Sequence, residues 1–230
     1  MKVGVLLAGC GVYDGSEIQE AVFTLLAIDE NGAEAVCMAP DIDQHHVIDH
    51  LTGNEQNETR NVLTESARIA RGKIVSLASV VVKDLDALVI PGGFGAAKNL
   101  NKWAFSGPDG SIEPDVAQLI REMLAAKKPV AGLCMGPTVI AKALQNSGMN
   151  AKLSVGTTEE PSPYDIAGIS AGMEKTGASA TMKTIREIEV DHQLGIVTAP
   201  CYMMEAQVKE VRNNIKQAID QMIIMANKNL

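Results

Sequence analysis

The sequence has no surplus of basic residues: 20 Lys and Arg stand against 28 Asp and Glu, a formal net charge of −8. A phosphate-backbone partner needs a basic face, so nucleic acid is not expected. No apolar run approaches the ~18 residues of a membrane helix, which removes the bilayer as well. Cys10, Cys37, Cys134 and Cys201 are widely spaced, and no Cys-x-x-Cys pair exists. Neither a zinc knuckle nor a disulfide framework follows from such spacing. Leu6-Leu7-Ala8-Gly9-Cys10 imitates a lipoprotein cleavage box. The apolar stretch from Val3 to Leu7 is nevertheless shorter than the ~7–15-residue core of a signal peptide. These features predict a cytoplasmic protein with reduced thiols. Repeats, low-complexity tracts and linkers are also missing, so residues 1–230 are read as one domain.

What is present is an alternation of buried strands and amphipathic helices. Val3-Gly4-Val5-Leu6-Leu7 is a nearly unbroken apolar run, the pattern of a central parallel strand. Ser16 is placed to cap a helix closed by Gly32, with Ala21, Val22, Leu25, Leu26 and Ile28 facing inward. A strand at Ala35–Met38 completes a βαβ unit. Residues 41–72 form a polar insertion over the sheet edge or the site, with one helical pattern through Val62, Ala67, Ile69 and Ala70. Short β-type runs follow at Ile74-Val75 and Val80–Val82. Further strands are expected at Ala87–Ile90 and Pro129–Leu133, and a hairpin across Asp191–Leu194. Helices are expected at Pro114–Lys127, Gly136–Gln145, near Asp165 and at Glu205–Met225. The sum is a doubly wound α/β sheet.

Gly132-Leu133-Cys134-Met135-Gly136, between a strand and a helix, has the spacing of a nucleophile elbow. The helix that follows aims free amides and its positive dipole end at the sulfur, which predicts a lowered thiol pKa. Gly92-Gly93-Phe94-Gly95 ends a neighbouring strand, where backbone amides can meet an oxyanion. Glu17 and Glu20 lie in the first turn of the first helix, on the same sheet edge. Either is a favourable acid at a helix N-terminus, or a carboxyl kept protonated beside the sulfur. Histidine is scarce, with only His45, His46, His50 and His192. A glutaminase triad wants a late His-x-Glu, whereas here the chain reads His192-Gln193-Leu194. His46 and His50 would share a face on a helix, but the glutamate of a zinc-protease motif is missing, and they read as solvated surface. Gly9-Cys10-Gly11-Val12-Tyr13-Asp14-Gly15 falls one residue out of step with a dinucleotide fingerprint.

The elbow, the stretch Pro91–Asn99 and the opening Gly9–Glu17 resemble the ElbB ("enhancing lycopene biosynthesis") family. So do Glu58–Leu63 and Ile196–Pro200. The family lies in the PfpI/ThiJ branch of the class I glutamine-amidotransferase-like superfamily. The resemblance implies a flavodoxin-like fold, a homodimer, and a cofactor-independent glyoxalase, a lyase that converts glyoxal to glycolate. It implies no metal and a small dicarbonyl substrate. It puts the nucleophile on Cys134 and its partner acid on Glu20; with that dyad, amides at Gly92, Gly93 and Met135 are expected to hold the oxyanion. Many relatives carry a histidine after the elbow helix, where this chain has Val155–Glu160, so a Cys134–Glu20 dyad is expected rather than a triad. The alternative for the same thiol is a redox-sensing or regulatory binding protein.

Overall fold

The computed structural model describes residues 1–228. Nine strands are present among them: β1 (Lys2–Leu6), β2 (Glu34–Ala39), β3 (Ile74–Ser76), β4 (Ala87–Ile90), β5 (Val130–Leu133), β6 (Lys152–Leu153), β7 (Ser179–Ala180), β8 (Glu189–Asp191) and β9 (Ile196–Ala199). Seven of them form one sheet in the order β3-β2-β1-β4-β5-β9-β8, parallel throughout except for the β8–β9 hairpin. β6 and β7 pair separately. The helices are α1 (Ile18–Glu30), α2 (Val62–Ile69), α3 (Trp103–Ser106), α4 (Pro114–Ala125), α5 (Gly136–Leu144), α6 (Ile166–Lys175) and α7 (Val208–Lys228).

From β1 the chain steps outward to β2 and β3, then returns to β4 and builds the other half. Right-handed crossovers running in opposite directions place helices on opposite faces, and the change of direction leaves a crevice between β1 and β4. The central strands are apolar runs because both of their faces are covered. Val3, Val5 and Leu6 of β1 are fully buried, as are all of β4 and β5.

Local details differ from the pattern reading. Ser16 does not cap α1; its hydroxyl turns inward to accept the Ala8 amide at 2.9 Å. Glu17 caps instead, accepting the Glu20 amide at 2.6 Å. The inward face of α1 is Glu20, Ala21, Thr24, Ala27 and Ile28, and Val22 and Leu26 are exposed. Val80–Val82 is no strand, because local turn bonds take up its backbone: the Val80 amide donates to the Leu77 carbonyl at 3.0 Å and the Leu85 amide to the Val82 carbonyl at 3.2 Å, as the chain passes through two 3₁₀ turns. α6 is longer than a short helix and is capped by Asp165, which accepts the Gly168 amide at 2.9 Å. Of the periodic positions Val208, Val211, Ile215, Ile219 and Ile223 expected to pack, α7 buries the last four, while Val208, its first residue, is exposed.

The insertion divides in two. α2 packs beside β2 and β3. Residues 41–61 fold over the loop after β1: the Ile48 amide donates to Asp14 at 2.7 Å and the Tyr13 amide to His50 Nε2 at 3.2 Å. Asn99 ties three segments together, donating to the Ala8 and Asp14 carbonyls and accepting the His45 amide, each at 2.9 Å.

Candidate active site

β5 ends in Cys134, whose backbone sits at φ +55°, a left-handed conformation costly for a non-glycine residue. Its amide donates to the Ala199 carbonyl of β9 at 2.9 Å, which holds the turn. α5 begins two residues later. A Cβ on Gly136 would lie 2.6 Å from the Ile90 carbonyl oxygen, so the tight exit from the turn needs glycine. The Gly93 and Met135 amides donate to the Cys134 sulfur. This is the strand–strained turn–helix geometry of a nucleophile elbow.

Glu20 is brought to the same point by the cap of α1. The Glu17 amide donates to the Gly92 carbonyl at 2.9 Å, which fixes the first turn against the loop after β4. One turn on, the Glu20 carboxyl is fully buried and hydrogen-bonded to Cys134. One of its oxygens accepts the Gly92 amide at 3.0 Å, the other the Tyr202 amide at 3.2 Å. A Cβ on Gly92 would fall 2.3 Å from Cys134 Cβ and 2.5 Å from Glu20 Oε2. Only glycine lets the carboxyl and the thiol meet there.

The structure therefore gathers Cys134, Glu20, Gly92, Gly93 and Met135 into one cluster. Gly92 differs from its expected use: its amide is engaged by Glu20 and does not face an oxyanion. The electrostatics also reverse one expectation. The thiol of Cys134 is raised well above 9, first by burial and then by Glu20, and the two amides on the sulfur only partly oppose this. Helix-terminus and amide effects lose to desolvation at a site this enclosed. Glu20 is pushed from 4.5 to about 8 by burial and by the neighbouring Glu17 charge. Burial raises Glu17 too. At neutral pH the Glu20 carboxyl is protonated and the sulfur carries a thiol.

A cavity of about 160 Å³ opens above the sulfur, walled by Phe94, Trp103, Met135, Tyr164, Ile169, Tyr202 and Met203, with Glu17 at its polar end. Four of the seven aromatic residues of the chain converge here. Tyr164 stands near the thiol; burial and the Cys134 and Glu20 charges push its phenol to about 12, so it remains a neutral donor. No spacing rule pointed to Trp103, Tyr164 or Tyr202. They come from three segments, after β4, after β6 and after β9, so nothing local in the sequence brought them together.

The histidines stand apart from the sulfur. His192 lies in the β8–β9 turn, at the opposite end of the strands. His45 and His46 stack on each other and on Phe105, and His50 packs on Tyr13. His46 and His50 occupy a loop rather than a shared helix face. Among the described residues, no three His, Cys, Asp or Glu side chains converge as a metal site.

A mostly parallel α/β sheet with a strained cysteine turn backed by a buried carboxyl is the arrangement of an amidotransferase-like class of protein. No protein-family model matches the chain. Human glutamine amidotransferase-like class 1 domain-containing protein 3, mitochondrial, is 39% identical over 99% of the chain and 84% of its own length. The rat ES1 protein homolog, mitochondrial, is 38% identical over 99% of the chain and 85% of its length. A solved structure from Ehrlichia chaffeensis, an isoprenoid biosynthesis protein with an amidotransferase-like domain, matches with TM-score 0.88 and 32% identity, over 98% of this chain and 99% of that one. The chain belongs to this ES1 and ElbB family of glutamine amidotransferase-like proteins. The fold is also shared with glyoxalase III of Candida albicans, at TM-score 0.60 and 14% identity, over 96% and 97% of the two chains.

One expectation is overturned by these relatives. Both the human and the rat protein are named as mitochondrial, which points away from a cytoplasmic location. Net charge, thiol spacing and a short apolar run bear on membrane insertion and disulfides, not on which compartment holds a folded domain.

Proposed function

We propose that the protein is a cofactor-independent glyoxalase, a lyase that converts glyoxal to glycolate through Cys134. The observation that carries this reading is the hydrogen bond between the strained Cys134 and the fully buried, protonated Glu20. Glu20 first releases its resting proton to solvent; as the carboxylate it takes the thiol proton while the sulfur adds to one aldehyde carbon, and passes it to the carbonyl oxygen, giving a hemithioacetal. The Gly93 and Met135 amides, which hold the sulfur at rest, lie beside the oxygen that develops charge. Glu20, as carboxylate, takes the proton from the sulfur-bearing carbon and returns it to the neighbouring carbon through an enediol. A glycolyl thioester results, and water releases glycolate and the thiol. One carbon is oxidised and the other reduced, so no external redox partner enters.

Amide hydrolysis is less well supported, since the described histidines lie away from the sulfur. A redox sensor needs an accessible thiolate at rest. Cys134 is 5% exposed, which limits the access of an oxidant. The test is glycolate formation from glyoxal by purified, chelator-treated protein, beside Cys134→Ser. Multiple turnovers that vanish in the variant are expected; equal glycolate from both proteins would refute the scheme.

A further inference from the structure

We propose that the site takes 2-oxoaldehydes carrying an apolar, ring-sized substituent in preference to glyoxal; this rests on the glyoxalase reading above. Glyoxal is two joined aldehydes and offers nothing apolar beyond its carbonyls. The cavity over Cys134 measures about 160 Å³, and its walls include Phe94, Trp103, Tyr164 and Ile169. An apolar cavity of roughly 150 Å³ stays dry and takes up benzene, so a volume of this size and lining suits a ring. Glu17 and Cys134 also line the cavity, and Glu20 lies beside the sulfur.

The apolar wall is built rather than incidental. Trp103 is buried and seated on α6, where a Cβ on Gly172 would come 2.9 Å from its ring. Phe94 and Tyr164 meet edge to face, with centroids 6.0 Å apart and an interplanar angle of 68°. A preformed ring-lined slot spends no binding energy on ordering itself. Against it, glyoxal leaves most of the apolar surface without a partner.

The chemistry carries over unchanged. With phenylglyoxal, the sulfur adds to the aldehyde carbon and the thiol proton goes to its oxygen. The proton on that carbon then moves to the ketone carbon, and water cleaves the thioester to mandelate. The aldehyde carbon is oxidised, the ketone carbon is reduced, and the thiol is regenerated. Because Glu20 is fixed on one side of the sulfur, the proton returns to one face and one mandelate enantiomer is expected.

The experiment compares kcat/KM for phenylglyoxal, methylglyoxal and glyoxal, following the hydroxyacid products and resolving the mandelate enantiomers. Ile169→Phe, a half-buried change on α6 that adds a ring to the cavity, is measured beside the wild type. A phenylglyoxal-to-glyoxal ratio of about tenfold or more is expected, falling about tenfold in Ile169→Phe. Glyoxal turned over as well as phenylglyoxal, a ratio unmoved in Ile169→Phe, or racemic mandelate would overturn this proposal while leaving the glyoxalase reading in place. Turnover of none of the three would overturn both.

Discussion

Exchanging Glu20 for Gln should change how stability depends on pH, by an amount the buried carboxyl dictates. Its pKa is 4.5 in the unfolded chain and about 8 in the fold. The native state thus keeps a proton that the unfolded state releases. The carboxyl's contribution is fully present below 4.5 and is lost as pH rises through about 8. At ~1.4 kcal/mol per unit, wild type should lose about 4 kcal/mol from this group between about pH 5 and about pH 8.5. Glutamine does not titrate. It sets an N–H against the Gly92 or the Tyr202 amide, a cost of about 1–3 kcal/mol that is the same at every pH. The stability of Glu20→Gln relative to wild type should therefore improve by about 4 kcal/mol across that range. Urea unfolding followed by fluorescence of the single tryptophan, the buried Trp103, measures it. A wild-type-minus-variant difference that stays constant within about 1 kcal/mol at both pH values would refute the assignment of a raised carboxyl pKa.

Under the proposed mechanism the carboxylate form of Glu20 removes the carbon-bound proton. The kcat/KM for glyoxal should then climb about tenfold per pH unit below about 8 and level off above it, which a pH–rate profile will show. Gly92→Ala forces a methyl group between Cys134 and Glu20 and should lower glycolate production by about a hundredfold or more while costing ~1–3 kcal/mol in urea unfolding. Asn214, fully buried on α7, accepts the Cys201 amide at 3.0 Å and donates to the Glu187 carbonyl at 2.8 Å. Asn214→Ala strands both groups and should destabilise by about 2–4 kcal/mol, read by the same unfolding assay.

Strand positions were legible where burial on both faces leaves an unbroken apolar run. Ala87–Ile90 and Pro129–Leu133 were placed within a residue of β4 and β5 for that reason. The elbow was legible because it is local: two glycines, a cysteine and the change from strand to helix all lie within five residues. Val80–Val82 misled because β-branched residues announce a strand while the backbone there closes local turn bonds instead. The apolar side chains of α1 misled in a more telling way. Val22 and Leu26 are exposed, while Glu20 and Thr24 are buried, because the helix is rotated to bring a carboxyl to the sulfur. In α1 a buried carboxyl at the candidate site overrode the hydrophobic pattern that was read as its inward face.

The pKa of Cys134 marks the boundary between what local reading can and cannot supply. Helix dipole, following amide and glycine loop were all readable, and all of them favour thiolate. What decides the sign is the depth of the sulfur in the crevice and the carboxyl opposite it, and both depend on segments far away in the chain. The Tyr202 amide that holds Glu20 follows Cys201, which sits at φ +51° at the end of β9. The sulfur thus lies between two left-handed cysteine turns on adjacent strands, one presenting the thiol and the other fixing the acid. The second turn has no flanking glycine; Asn214 on the last helix supplies its restraint through the Cys201 amide. A site assembled from β5, α1 and α7 in this way keeps its acid and its thiol both protonated until a carbonyl arrives. That arrangement suits a nucleophile that must resist oxidation between turnovers better than one meant to sense it.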